Sequence, residues 1–186
     1  MSFTGTESRP PEGFKYVEEL VLPEVETELI REIEQLPLKE FEFQVYTGQR
    51  RVVSYGWRYD YGSFSLNCAE SVPDFLETLR TRAAAFAGLP SDRLAHVLVT
   101  EYTPGAPIGW HRDKPMFEDV IGISLGSACR FRFRRKAGKS WERYSLILEP
   151  RSVYLLRGPS RNEWQHSIPA VESLRYSITF RSLRNA

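Results

Sequence analysis

The stretch HVLVTEYTPGAPIGWHRD, residues 96–113, decides the architecture. Its first seven residues are rich in β-formers, Thr103-Pro104-Gly105 turns the chain, and residues 108–111 start a second short run. Reading outward, the same texture continues downstream. β-like runs fall at 120–125, 129–134, 144–148, 152–156, 165–168 and 175–181, punctuated by Gly126, Gly138, Pro150 and Gly158-Pro159. Short strands at this spacing predict a sandwich or barrel, including the eight-stranded jelly roll. Upstream the period changes. Residues 22–36 open with Leu22-Pro23-Glu24 and place Leu29, Ile30, Ile33 and Leu36 at helical spacing. Residues 73–87 are rich in alanine and leucine and end at Gly88, a C-cap signal. Residues 14–21 alternate weakly as a first strand, and the aromatic stretch 41–64 reads as paired strands. The expected class is α+β, mainly β, with two N-terminal helices supporting the β-core.

A chain of 186 residues is long enough to bury a core without disulfides or a structural metal. Residues 1–13 are expected to be a disordered tail and residues 14–186 one domain, with the core over 94–184. No signal core or membrane-length apolar run is present, and Cys68 and Cys129 form no CxxC pair. A cytoplasmic, reducing setting, no membrane partner and a monomer are therefore expected. The net charge of +1 hides a split. Residues 1–113 carry 11 basic and 18 acidic side chains, net −7; residues 114–186 carry 14 and 6, net +8. The split fits either an anionic partner or two halves that attract each other.

Chemistry concentrates in few places. On a strand, residues i and i+2 share a face, so His111 and Asp113 can offer a ring nitrogen and a carboxylate oxygen to one point. A neighbouring strand in a rolled sheet can add His166. Two imidazoles and a carboxylate suit a non-haem Fe(II) oxygenase, and also a hydrolytic zinc site. Arg175, Ser177, Thr179 and Arg181 share one strand face, opposite Tyr176, Ile178 and Phe180. Inside a barrel such guanidiniums need anions, and a dicarboxylate suits them; outside, the row is a solvated strand.

The run from Thr100 through Tyr102, Pro104-Gly105, His111 and Asp113, then His166, then Arg175-x5-Arg181, resembles the AlkB-type Fe(II)/2-oxoglutarate dioxygenases. The matching segments span about residues 41–184. The resemblance implies a double-stranded β-helix (jelly roll) with helical support. It implies His111, Asp113 and His166 as iron ligands and Arg175 as the grip on the distal carboxylate of 2-oxoglutarate. Tyr102 would donate to the co-substrate, Arg181 would stand near its metal-binding end, and Thr179 would assist. Thr100 stands where the family usually has asparagine, which alters one co-substrate contact. The implied cofactors are Fe(II), 2-oxoglutarate and O₂. The implied reaction couples decarboxylation of 2-oxoglutarate to hydroxylation of a C–H bond, which on an N-alkyl group ends in dealkylation.

In the family the segment before the barrel covers the site and grips a nucleobase, so residues 41–66 are the expected substrate lid. Its Arg50, Arg51, Tyr55, Trp57, Tyr59 and Tyr61 interleave cations with aromatics, as stacking on an extruded base requires. Alkylated nucleic acid, as in DNA repair, is the expected substrate. A protein side chain or small molecule, or an inert metal-binding jelly roll, are the alternatives. His96 lies outside these motifs and reads as structural. The alternation of Arg130, Arg132 and Arg134 with Phe131 and Phe133 reads as a solvated strand face, one that can turn to the glutamates of the first helix, more than as a phosphate-tracking stripe.

Overall fold

The computed structural model describes residues 9–43, 46–60, 65–68 and 70–184. In chain order the elements are β1 (Phe14–Val17), α1 (Pro23–Ile33), β2 (Lys39–Phe43), β3 (Tyr46–Asp60), β4 (Ser65–Cys68) and α2 (Glu77–Ala87). They continue with β5 (His96–Tyr102), β6 (Ile108–His111), β7 (Phe117–Leu125), β8 (Cys129–Ala137) and β9 (Ser140–Leu148). The chain closes with β10 (Val153–Leu156), α3 (Pro159–Asn162), β11 (Gln165–Ile168) and β12 (Arg175–Leu183).

Two antiparallel sheets face each other. The larger runs β1-β10-β7-β12-β5-β3-β2, with β4 attached to β3; the smaller runs β6-β11-β8-β9. This is the double-stranded β-helix. Alternation in the larger sheet separates two cores. Val97, Val99, Ile121, Ile123, Val153, Leu155, Tyr176, Ile178 and Phe180 pack on one face against Leu29 and Ile33 of α1 and Leu79, Ala83 and Ala87 of α2. Between the sheets lie Phe131, Phe133, Leu148, Leu156 and Ile168. The helices thus support the sheet from behind, and the opposite face of β12 and β5 points into the roll.

Local chemistry explains the boundaries. Pro23 and the first-turn Glu24 and Glu26 favour the start of α1, and Gly88 closes α2 in the left-handed region at φ 67°. Gly122 on β7 sits directly across from Tyr154 on β10, whose ring covers it. A Cβ at 122 would lie 2.2 Å from that ring, so only glycine lets the phenol lie flat into the roll.

Some boundaries differ from expectation. α1 stops at Ile33, and β1 ends at Val17. Residues 1–8 of the expected tail lie outside the described residues. Its last part is anchored: Glu12 accepts a bond from the Ser160 amide at 2.8 Å, and Gly13 packs on the Arg157 carbonyl. The one-turn helix α3 had no periodicity to announce it.

Candidate metal and co-substrate site

His111 and His166 are direct cross-strand partners on β6 and β11. Their rings lie 4.2 Å apart between centroids, at 61°. Both belong to the inner face of the smaller sheet, because His166 also pairs with the core residue Phe133. Asp113 joins them from the turn after β6 rather than from the strand itself, which ends at His111. One donor atom from each of His111, Asp113 and His166 lies within 4.8 Å of the others.

The turn that carries Asp113 is pinned from several sides. Arg161 of α3 is buried and donates to the backbone carbonyls of Lys114 and Phe117. Arg112 donates to the Asn162 carbonyl at 2.9 Å. Arg181 of β12 donates to Asp113 Oδ1 through Nε at 2.9 Å and Nη2 at 2.8 Å. Burial alone would raise the pKa of Asp113, but Arg181, then His166 and His111, outweigh it and hold the carboxyl well below its ordinary value. Arg181 was expected to meet the co-substrate. Here its charge is spent first on a carboxylate inside the roll, because the register places it on β12 within reach of the Asp113 turn.

The donor set fits a divalent iron. Arg181 occupies Asp113 Oδ1, while Oδ2 faces His166 Nε2 at 3.6 Å. His111 Nδ1 lies 2.9 Å from the Gly109 carbonyl, which requires a proton on that nitrogen and leaves Nε2 a free lone pair. Two neutral imidazoles and one ionised oxygen on one side of a point leave the other positions open.

A second feature fits a dicarboxylate. Arg175 is fully buried in the roll. Its Nε donates to Ser124 Oγ at 3.3 Å, its guanidinium lies 4.8 Å from the Tyr102 ring centroid, and Nη1 has no hydrogen-bond partner among the described residues. A buried cation with an unspent donor is costly unless an anion completes it. Tyr102 is its direct partner on β5, and Thr100 and Thr179 lie on the same inward face, Thr100 opposite Ser177 and Thr179 opposite Leu98.

The lid residues divide. Arg50 pairs with Tyr102, and its charge helps disfavour the His111 imidazolium, so it stands beside the site. Arg51 turns the other way and forms two 2.7 Å bonds with Glu101. Tyr55 is 4% exposed and packs in the helix-side core, because β3 alternates and Tyr55 pairs with the core residue Val97. The structure therefore removes Arg51 and Tyr55 from the substrate side. Trp57 follows Gly56 (φ 81°), where β3 leaves β5 and begins to pair with β4, and is 41% exposed. Tyr59 pairs through its backbone with Leu66, and Tyr61 lies outside the described residues.

Two residues at the site escaped sequence reasoning. His96 is buried at the start of β5, with Nδ1 3.4 Å from Arg181 Nη1 and its ring 4.8 Å from Phe117. Its same-face spacing with Thr100 and Tyr102 was the available signal. Tyr154 is the other. Burial, then the Asp113 charge, raise its phenol pKa, which places it among the site's charges.

His96 and His166 are held neutral down to about 3, chiefly by burial, then by Arg181 and His111 respectively. Their ordinary value is 6.5. Below that pH the unfolded chain takes up protons that the folded chain refuses. Metal-free stability is therefore full above about 6.5 and falls as pH drops toward 3, by about 1.4 kcal/mol per pH unit for each ring. Urea midpoints at pH 7.5, 6 and 5 check this; a flat profile over that window contradicts neutral rings.

The family model described as the 2OG-Fe(II) oxygenase superfamily matches residues 20–181. The chain belongs to that superfamily. Within it the chain is similar to AlkB-type relatives. It is 30% identical over 173 residues to the "Alkylated DNA repair protein ALKBH8 homolog" of Arabidopsis thaliana, covering 74% of this chain and 50% of the relative. The chain thus spans half the length of that relative. Among solved structures, OsALKBH1 superposes with a TM-score of 0.71 at 18% identity, over 93% of this chain and 100% of that one. A Pseudomonas putida prolyl-4-hydroxylase follows at 0.63 and 13%, over 94% of each. These two likenesses establish the shared double-stranded β-helix. Membership of that superfamily implies Fe(II) and 2-oxoglutarate as cofactor and co-substrate.

Proposed function

We propose that this oxygenase removes alkyl groups from nucleic-acid bases, with His111, Asp113 and His166 holding Fe(II) and Arg175 clasping the far carboxylate of 2-oxoglutarate. The observation that carries the assignment is the buried Arg175 with a free Nη1, in the same roll as the His-Asp-His cluster. When bound, Fe(II) with 2-oxoglutarate and O₂ supplies C–H hydroxylation with release of succinate and CO₂, and a hydroxylated N-alkyl carbon leaves as an aldehyde.

The chain's own residues do the positioning. Arg181 fixes one oxygen of Asp113, so the other keeps its direction. The Gly109 carbonyl fixes the His111 tautomer. Tyr102 stacks under the Arg175 guanidinium and shares the inward face with Thr100, which keeps the co-substrate's tail in one orientation. Phe131 and Phe133 pack near the His166 ring and exclude water from its inner side. On the substrate side, Arg50 and the exposed Trp57 lie on the strand leading into the site, a cation and a flat ring as an extruded base requires. The name of the Arabidopsis relative supports the same substrate class.

The test is formaldehyde release from N-methylated oligonucleotides, set beside methylated peptides, with Fe(II) and with or without 2-oxoglutarate. Co-substrate-dependent release from the oligonucleotides alone is expected. Release from peptides alone moves the substrate to protein.

A further inference from the structure

The outer face of the smaller sheet is not used by the site. Register and alternation put Arg130, Arg132 and Arg134 of β8 there, with Arg143 opposite Arg134 and Trp141 opposite Lys136 on β9. Trp110 belongs to the same face, one residue before His111. The Arg134 guanidinium is sandwiched between the Trp110 and Trp141 rings, 4.4 and 4.6 Å from their centroids, and Arg132 also lies over Trp110 at 5.0 Å. Arg132 Nε is tied to Ser167 Oγ and Arg134 Nε to Gln165 Oε1, which fixes both guanidiniums in place.

No carboxylate neutralises this face among the described residues. Glu142 and Glu163 both pair with Arg135, which points to the other side of β8. The glutamates of α1 are elsewhere: α1 packs behind the larger sheet, and its Glu26 pairs with Arg151. The expectation that these arginines face α1 is therefore wrong, and the attraction of opposite halves does not account for them. Ordinary solvated cations keep mobile side chains. Here two are held in place by their Nε bonds and by the indoles, on the same face as exposed Arg130, Lys136 and Arg143. A fixed row of donors crossing a sheet matches a polyanion with regularly spaced charges.

We infer that this face binds the phosphate backbone of the nucleic-acid strand whose base is being worked on, running over β8 and β9 and reaching the site past Trp110. The inference rests on the nucleic-acid reading of the site and adds the path of the strand to it. Stacking on indoles removes part of each arginine's hydration without using its donors, so less is lost when a phosphate arrives. Contacts of this kind carry affinity and register and no base information.

The test uses an unmodified, fluorescently labelled single-stranded oligonucleotide and anisotropy across a salt series. It requires no turnover, so it is separate from the formaldehyde assay. Changing Arg132→Gln and Arg134→Gln together should weaken binding and reduce the slope of log affinity against log salt by about 1.4, roughly 0.7 per lost contact on a single strand. A second pair, Lys136→Gln with Arg143→Gln, lies on exposed positions and should act in the same direction if the stacked pair misfolds. Decarboxylation of 2-oxoglutarate without substrate should be unchanged in both. Unaltered affinity and slope in both pairs overturns the inference while leaving the dealkylation reading intact. Poly-glutamate bound as tightly as the oligonucleotide, with the same loss in the variants, reassigns the face to acidic polypeptides and also overturns it.

Discussion

Asp113→Ala is expected to abolish iron-dependent turnover and to destabilise the metal-free fold at the same time. The first effect follows from geometry. Asp113 supplies the only carboxylate of the cluster, and its Oδ2 faces His166 while Oδ1 is held by Arg181. Losing a supporting hydrogen bond to a ligand costs about 10–100-fold in affinity or activity. Losing the ligand itself should exceed that. The second effect follows from charge. Arg181 bonds to this carboxylate, and buried Arg161 feels its field. Removing the anion leaves buried cations without compensation, which typically costs about 3–5 kcal/mol. Asp113→Asn separates the two effects. It keeps the shape and one acceptor, so it should recover part of the stability but little turnover. Succinate formation and urea unfolding, read on both variants, check the pair of outcomes; near-wild-type succinate from the alanine variant would remove Asp113 from the metal site.

The sequence made some of this site legible for a simple reason: period 2 is hard to disguise. Residues 96–102, 108–111 and 165–168 are strands at the expected limits, and the RYSITFR run separates an inward polar face from an outward apolar one as alternation requires. His111, His166 and Arg175 lie on those strands, so which side chains share a face was readable, and the family resemblance implied that this face points inward. What escaped lies off the regular runs or depends on a distant partner. Asp113 was expected beside His111, but by strand parity; its actual support, a turn past the end of β6 held by arginines 48 and 68 residues away in sequence, was not readable. Arg51 and Tyr55 read as substrate residues by composition, yet strand parity turns both to the helix side, and only the register of β3 against β5 reveals it. His96 lacked a motif, although all three histidines of the chain converge on the site. The stacked arginines on β8 were visible as an alternation, but the indoles that fix them come from β6 and β9, which no local pattern connects.

Arg175→Met should produce an inverted pattern: weaker co-substrate binding from a protein that is no less stable. The guanidinium is buried in the roll, spends Nε on Ser124 and leaves Nη1 unpartnered. In the absence of a dicarboxylate that arrangement is a liability, because a desolvated cation keeps unmet donors. Methionine fills similar space without a charge, so the metal-free, co-substrate-free variant should melt at or above the wild-type temperature. Addition of 2-oxoglutarate reverses the order. It completes the guanidinium in the wild type and raises its melting temperature by mass action, while the variant gains far less. Bonds to a charged partner are worth about 1.5–3 kcal/mol each, which corresponds to a rise of about ten- to a hundred-fold in the KM for 2-oxoglutarate. Arg175→Lys keeps the charge but not the paired donors and should fall between the two. A structural role for Arg175 makes the opposite forecast: the methionine variant would melt well below wild type with or without 2-oxoglutarate, and its KM would be unchanged. Thermal melts with and without the co-substrate therefore decide the matter before any substrate is identified.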